Sequence, residues 1–284
     1  MTRSRCTKRA ILITGCSSGI GLAAAQVLQD RGYIVIASCR KVEDVERLRR
    51  EGLEHVIQLD LASSESIKHG VAEALAIAGD QLFALFNNGA YGQPGAVEDL
   101  SRDTLRRQFE TNLFGTHELT RELLPHFLQR DDARIIQNSS VLGLVALPFR
   151  GAYNASKFAL EGLTDTLRLE LKNTAVKISL IEPGPITSRF RANALKAIEN
   201  EIDLENSRHR DSYKKSLERL RKQGPAAPFT LPPEAVVKKL IHALESRNPR
   251  PRYYVTFPTY LMGTLRRIAS SRILDRLVLK LGKA

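Results

Sequence analysis

Residues 10–28 read AILITGCSSGIGLAAAQVL: an apolar run, a turn holding three glycines, then small and apolar residues at helical spacing. A strand that feeds a glycine turn and opens directly into a helix offers backbone N–H groups and the positive helix end to an anion. The spacing is GxxxGxG rather than GxGxxG, and each glycine has a use at a dinucleotide. Gly15 permits the tight turn, Gly19 lets the backbone approach a pyrophosphate, and Gly21 allows the helix to lie close on the sheet. Ser17, Ser18 and Ile20 fill the rest of the loop and are expected to line the same cofactor.

Outward from this corner, short β-branched or apolar runs alternate with longer stretches of helical period, the pattern of a parallel sheet with crossover helices. The runs are Ala10 to Thr14, Tyr33 to Ser38, His55 to Leu59, Leu82 to Asn87, Arg134 to Asn138, Lys177 to Ile181 and Arg252 to Thr256. Helices begin near Gly19, Val42, Ser64, Ser101, Gly151 and Pro233. The expected fold is α/β: a doubly wound, seven-stranded parallel sheet of Rossmann type in one domain, 1–258. Within it, Pro185 to Leu231 is charged, weakly periodic and ends in GPAAPFTLPP, which cannot continue a helix. Segment 185–231 therefore reads as a surface excursion, either a solvated loop or a substrate lid, and its length favours the lid. Residues 259–284 read as a basic amphipathic C-terminal extension.

Composition narrows the function. With 284 residues and 43% hydrophobic content, the chain sustains one sizeable core. Cys6, Cys16 and Cys39 are odd in number and lack CxxC spacing, which argues against a disulfide framework or a zinc site, so no metal is expected. The basic N-terminus has no long apolar stretch behind it, and no run reaches the roughly 18 apolar residues of a membrane span, so the expectation is a cytoplasmic protein. The formal charge of +12 clusters at the two ends: Arg3, Arg5, Lys8 and Arg9, then Arg247, Arg250, Arg252, Arg266, Arg267, Arg272, Arg276, Lys280 and Lys283. Neither a zinc-finger pattern nor an aromatic RNA-binding signature accompanies it, and nucleic acid is not an expected partner. A phosphorylated cofactor or an anionic membrane surface suits the charge better.

The second strand ends at Ser38-Cys39-Arg40-Lys41. An acidic residue there would bind the ribose 2′-hydroxyl of NAD, whereas an arginine can take the 2′-phosphate of NADP. Two cations and no acid predict NADP(H) over NAD(H), with Arg40 the main contact and Lys41 secondary. Further on, Tyr153-Asn154-Ala155-Ser156-Lys157 opens an amphipathic helix, and the spacing of four puts Tyr153 and Lys157 one turn apart on one face. A free phenol with a pKa near 10 is a poor acid–base catalyst at neutral pH, and a neighbouring ammonium is expected to lower that value.

Six motifs in order, TGCSSGIG, FNNGA, TNLFG, SSVLG, YNASK and PGPIT, resemble the short-chain dehydrogenase/reductase family over about residues 8 to 190. The resemblance implies a nicotinamide-dependent oxidoreductase in which Tyr153 protonates an alkoxide or accepts an alcohol proton and Lys157 also holds the nicotinamide ribose. It further implies that Asn112 of TNLFG helps hold a proton-relay water and that Ser140 hydrogen-bonds the substrate oxygen. By the same resemblance Asp60 and Leu61 meet the adenine, Asn87 and Ala90 lie in the cofactor-side motif, and Pro183, Gly184, Ile186 and Thr187 of the PGPIT run face the carboxamide and pyrophosphate. The family commonly reads Asn-Asn-Ala-Gly where this chain has Asn87-Asn88-Gly89-Ala90, a swap that bears on the backbone beside the adenine ribose.

Within the family, GCSSGIG, IEPGPI and the tail resemble the branch of retinol and 17β-hydroxysteroid dehydrogenases and bacterial aldehyde reductases, which implies an apolar carbonyl or alcohol. Leu142, Leu144, Val145, Leu147, Phe149 and Phe190 flank the reaction centre and would suit such a substrate, or serve as core. In the tail, Leu261, Leu265, Ile268, Leu274, Leu277, Val278 and Leu281 interleave with five basic residues. This basic amphipathic segment fits either peripheral contact with an anionic membrane or packing on its own domain or a partner subunit. The family also implies a homo-oligomer, dimer or tetramer. A noncatalytic NADP-binding regulator, or a dehydratase or epimerase on the same scaffold, is the competing reading; retention of Tyr153, Lys157, Ser140 and Asn112 together weighs against the regulator, and the YNASK and PGPIT pattern against the other.

Overall fold

In the computed structural model seven strands form one parallel sheet: β1 Ala10–Ile13, β2 Ile34–Cys39, β3 His55–Gln58, β4 Leu82–Asn87, β5 Ala133–Asn138, β6 Val176–Glu182 and β7 Arg252–Tyr254. Their order is β3-β2-β1-β4-β5-β6-β7, every pair parallel. The structure describes residues 9–221, 224 and 227–282; Arg3, Arg5, Cys6, Lys8 and Lys283, and the side chain of Leu281, lie outside the description.

Alternation along the strands divides the core. Ile11, Ile13, Val35, Ala37 and Phe86 face one side, where they meet α1 (Gly19–Asp30), α2 (Val42–Arg50) and α9 (Glu234–Glu245). Ala10, Leu12, Ile36, Leu85 and Ile135 face the other, against α3 (Ser64–Ala78) and α5 (Gly115–Leu128). Side chains two apart share a face, so a run such as AILI, buried throughout, serves both layers. The chain winds outward from β1 to β3 and then crosses to β4 on β1's other side. Such a reversal leaves a crevice at the carboxyl ends of the two central strands.

Three stretches differ from the sequence expectation. The helix starting near Ser101 is α4 (Arg102–Phe109), and one π turn, Glu110–Phe114, joins it to α5. Segment 185–231 is more structured than its weak periodicity suggested, since it contains α7 (Phe190–Glu201) and α8 (Arg210–Arg221). These helices bury Ala194, Ile198, Tyr213 and Leu220 against Ala96, Leu100 and Ala152, and Tyr213 Oη accepts the Ala96 amide at 2.8 Å. The apolar residues are few and held by one shared cluster, which a sequence window dominated by charge conceals. The tail, finally, is two helices, α10 (Phe257–Ile268) and α11 (Ser271–Gly282), rather than one. Thr259, Met262 and Gly263 of α10, with Leu274 and Val278 of α11, turn inward, while Phe257, Tyr260, Leu261, Ile268, Ile273 and Leu279 are exposed.

Candidate active site

The glycine turn after β1 is shaped by close approach. Gly15 has φ +71°, and a Cβ there would stand 2.7 Å from the Gly89 Cα. A Cβ at Gly21 would lie 2.3 Å from the Gly15 carbonyl oxygen, so only glycine lets α1 start directly over the turn. Ser18 is the N-cap of α1 but its side chain makes no capping bond, and the first turn faces the crevice with Ser17, Gly19 and Ile20 half-buried around it.

Residues outside the predicted set hold this turn in place. Thr14 Oγ1 accepts the amides of Asn88 (2.9 Å) and Gly89 (2.8 Å), and Asn88 Nδ2 donates to the Thr14 carbonyl at 2.9 Å. Asn138 Nδ2 donates to Asn88 Oδ1 at 2.9 Å, tying β1, β4 and β5 together at their carboxyl ends. From α2, Arg47 donates to the Ser17 carbonyl at 2.7 Å while paired with Asp44 and Glu51. A polar side chain just past a buried strand was the available signal for Thr14, Asn88 and Asn138; nothing local marked Arg47. The Gly89-Ala90 order also has a steric reason, because a Cβ at Gly89 would lie 2.9 Å from Leu61 Cδ1 and 3.2 Å from Thr14 Oγ1. Ala90, half-buried, follows where there is room.

Arg40 and Lys41 stand exposed beyond β2, and neither joins an ion pair among the described residues. Asp60 is half-buried with Oδ1 accepting the Ala62 amide at 3.0 Å, and Leu61 is buried. Asn87 is buried too; its Nδ2 donates to Thr120 Oγ1 of α5 at 2.8 Å, bracing the sheet, while its Oδ1 has no hydrogen-bond partner among the described residues. Pro183, Gly184, Ile186 and Thr187 lead out of β6. There the Thr187 amide donates to the Leu231 carbonyl at 3.0 Å, and the Leu231 amide to that of Pro185 at 3.1 Å, closing the base of segment 185–231.

The predicted catalytic side chains converge. Tyr153 and Lys157 ride α6 (Gly151–Glu170), and Ser140 ends the strand-to-turn passage after β5, where its Oγ accepts the Leu142 amide at 3.1 Å. The Lys157 ammonium, 3% exposed, donates to the Asn138 carbonyl at 2.7 Å and lies 5.7 Å from the Tyr153 ring centroid. Asn112 sits in the π turn; its Nδ2 donates to the Tyr91 carbonyl (2.9 Å) and to Ser156 Oγ (3.2 Å), and its Oδ1 accepts the Tyr91 amide (3.1 Å). A π turn displaces main-chain carbonyls from the helical ladder, which suits a site that must hold water or a polar group. Phe190 at the start of α7 meets the Tyr153 ring edge-on, centroids 5.3 Å apart. Phe149, by contrast, is held at φ +58° against Tyr213 and His209, so it belongs to the packing of segment 185–231.

One electrostatic expectation is corrected. Lys157 was expected to lower the Tyr153 pKa, yet burial pushes the phenol up to about 12, with the Ser140 hydroxyl opposing that rise. Burial likewise pushes Lys157 down to about 8, opposed by the charge of Glu161. In so dry a site desolvation outweighs the pairing, and the ammonium is engaged by the Asn138 carbonyl rather than by the phenol.

Residues 9–199 match the family model described as short chain dehydrogenase. The oxidoreductase YbbO of Escherichia coli K12 is 42% identical over 271 residues, 95% of this chain and 94% of that protein. Human retinol dehydrogenase 8 is 39% identical over 196 residues, 66% of this chain and 62% of that one. Among solved structures, a short-chain dehydrogenase/reductase from Burkholderia phymatum in complex with NAD superposes with TM-score 0.76 at 25% identity, covering 95% of each chain.

Proposed function

Since the chain belongs to the short-chain dehydrogenase/reductase family, we propose that it exchanges hydride between NADP(H) and an apolar carbonyl/alcohol pair, with Tyr153 moving the proton. The observation that carries this reading is the convergence of Tyr153, Ser140 and Lys157 in one buried site beside the glycine turn. That turn fits a dinucleotide: the close approach at Gly15 and Gly21 leaves no side chain over the start of α1, whose N–H groups would receive a pyrophosphate. Arg40 and Lys41 would take a 2′-phosphate, which is the basis for preferring NADP(H) to NAD(H). Asp60, Leu61 and the Asn87–Ala90 backbone would flank the adenosine, and Lys157 with Pro183, Gly184, Ile186 and Thr187 the nicotinamide end.

A bound nicotinamide supplies or accepts the hydride. Ser140 Oγ and Tyr153 Oη then hold the substrate oxygen, and Tyr153 donates its proton to that oxygen during reduction or removes it during oxidation. A phenol near 12 can protonate an alkoxide but is scarcely ionised at neutral pH, so in the oxidation direction the neighbouring Lys157 ammonium is what would favour the phenolate that removes the proton. Asn112 keeps the Tyr91 backbone and Ser156 in register beside them. Phe190, with Leu142, Leu144 and Leu147 half-buried nearby, gives the mouth an apolar wall suited to an aldehyde, retinoid or steroid-like molecule. The kinship to a retinol dehydrogenase supports the same substrate class.

The reading includes a cytoplasmic location, in keeping with buried, unpaired Cys16 and Cys39. It also includes a homo-oligomer, supported by Phe114, Phe158 and Leu169 standing exposed, and peripheral contact with anionic membrane through the outward face of α10 and α11. On α10 that face carries Phe257, Tyr260, Leu261 and Ile268; Arg267, Arg272, Arg276 and Lys280 lie beside it. No described helix is long and apolar enough to cross a membrane.

The deciding experiment follows NADPH and NADH absorbance against aliphatic aldehydes, retinal, steroid ketones and sugars, with Tyr153→Phe as the control. Turnover of an apolar carbonyl with NADPH, lost in the control, is expected; tight NADPH binding without turnover of any carbonyl would favour the noncatalytic regulator.

A further inference from the structure

Tyr153, Lys157, Glu161 and Asp165 follow one another at intervals of four along α6, so the reacting phenol begins a row of ionisable groups that runs away from the site. The mechanism uses only the first two. Glu161 is buried, and its carboxyl meets Arg252 Nη1 from β7. The same Nη1 also binds Glu182 Oε1 at 2.5 Å, from the end of β6, where the side chain is 0% exposed. The other nitrogen, Nη2, binds Asp165 Oδ2 at 2.5 Å. Two buried carboxyl groups therefore share a single nitrogen, and Glu182 Oε2, Glu161 Oε1 and Ser139 Oγ have no hydrogen-bond partner within bonding geometry among the described residues.

The other groups facing this cluster come from four elements. Asp165 is partly exposed and has Arg168 as a second partner at 2.9 Å, which keeps it ionised. Tyr254 of β7 lies near Glu182 and Glu161, and Arg267 of α10 lies near Tyr254. From the loop that carries Ser140, Ser139 Oγ and the Glu161 carboxyl crowd together over Gly143, where a Cβ would sit 2.8 Å from the first and 3.1 Å from the second. Carboxyl groups this close cannot both ionise cheaply in a dry setting, and they titrate as a pair. Burial pushes both carboxyls up; the charge of Glu161 adds to the rise at Glu182, whereas the Ser139 hydroxyl and Arg252 oppose the rise at Glu161, which is the member of the pair one helical turn from Lys157.

We propose that Glu161 is a positioning residue of the reaction, holding the Lys157 ammonium charged and seated against the Asn138 carbonyl, with Arg252, Glu182 and Ser139 setting the charge of Glu161 in turn. The need is physical: Lys157 is sealed from water and its one hydrogen bond among the described residues is to a neutral carbonyl, so without an anion it would lose its proton more readily, and Tyr153 would lose its neighbouring cation. The inference deepens the proposed reductase chemistry and rests on it for its consequence, but the charge of Lys157 can be read without any substrate.

The test is a 13C NMR titration of protein labelled at lysine Cε, with the Lys157 resonance assigned by its loss in Lys157→Arg. In the wild type the midpoint should lie near 8. Glu161→Gln should lower it by about one unit or more, since an ammonium loses its opposing charge. Glu161→Asp should restore most of the shift, and Glu182→Gln, which leaves Glu161 in place beside the ammonium, should leave the midpoint within about half a unit. Should Glu161→Gln fail to fold, Ser139→Ala should still give a smaller fall by weakening the Glu161 carboxylate. An unmoved midpoint in Glu161→Gln, or equal falls in Glu161→Gln and Glu182→Gln, would overturn the proposal and leave the cluster a structural ion network. With a substrate in hand, the alkaline limb of kcat should move with the same midpoint while KM changes little. Absence of any carbonyl turnover in the wild type would count against the reductase reading alone, because the NMR midpoints decide this one.

Discussion

Replacing Arg40 by Ala tests the cofactor assignment where it is most exposed to refutation. The root of the side chain is fixed: the Cys16 amide donates to the Ser38 carbonyl at 2.9 Å, the Leu59 amide to the Cys39 carbonyl at 2.9 Å, and Gln58 Nε2 to the Arg40 carbonyl at 3.2 Å. The guanidinium itself is exposed and free of ion pairs among the described residues, so its removal should leave the unfolding midpoint unchanged. A hydrogen bond to a phosphate is worth about 1.5–3 kcal/mol, and solvent at this site argues for the lower end, about tenfold in affinity. Lys41→Ala should cost less, because its ammonium is a point charge without the planar fork of arginine, and the double variant about fiftyfold if the two act independently. NADH, lacking the 2′-phosphate, should bind all variants alike. The assay is cofactor fluorescence on binding, at two ionic strengths, because an exposed pair must weaken with salt. Equal losses for NADPH and NADH would show that Arg40 acts on the fold or on the shared part of the cofactor, and no loss for either would show that the 2′-phosphate is held elsewhere.

Other outcomes follow from the same geometry. Phe190→Ala should raise kcat/KM for bulky carbonyls relative to short ones, since a ring 38% exposed and set edge-on to Tyr153 narrows the mouth more than it supports the core; an unchanged substrate ranking would remove it from the entrance. Gly115→Ala should destabilise the protein by about 3 kcal/mol or more in urea unfolding, because the added Cβ would lie 1.7 Å from the Leu61 carbonyl oxygen and backbone must yield. Glu182 has its folded pKa raised from 4.5 to about 8, so the native state binds more protons than the unfolded chain between those values and the wild type loses stability as pH rises through that window. Glu182→Gln has no such proton to lose, and its Tm relative to wild type should climb from pH 5 to pH 8; a constant difference would contradict the burial argument.

Much of this protein was legible in its sequence because the information is local. All seven strands are short apolar runs between turn residues, and a buried parallel strand needs no more than that to announce itself. Gly15, Gly19 and Gly21 follow from what a backbone can do without a Cβ, and Tyr153 and Lys157 from the repeat of a helix. What depended on tertiary structure depended on partners distant in the chain. The two helices of segment 185–231 exist through a cluster shared with Ala96, Leu100 and Ala152, contacts that no window on 185–231 contains. Asn87 Nδ2 bonds Thr120, a partner supplied by the packing of α5 on β4. The balance of charge at Tyr153 is set by burial, and burial is a property of the assembled core, so the phenol rises where the neighbouring lysine alone would have lowered it. Glu161, Glu182 and Arg252 look like ordinary charged residues until β6, β7 and α6 bring them onto one guanidinium. Sequence named the residues proposed to carry the chemistry; the fold decided which of their charges survive the absence of water.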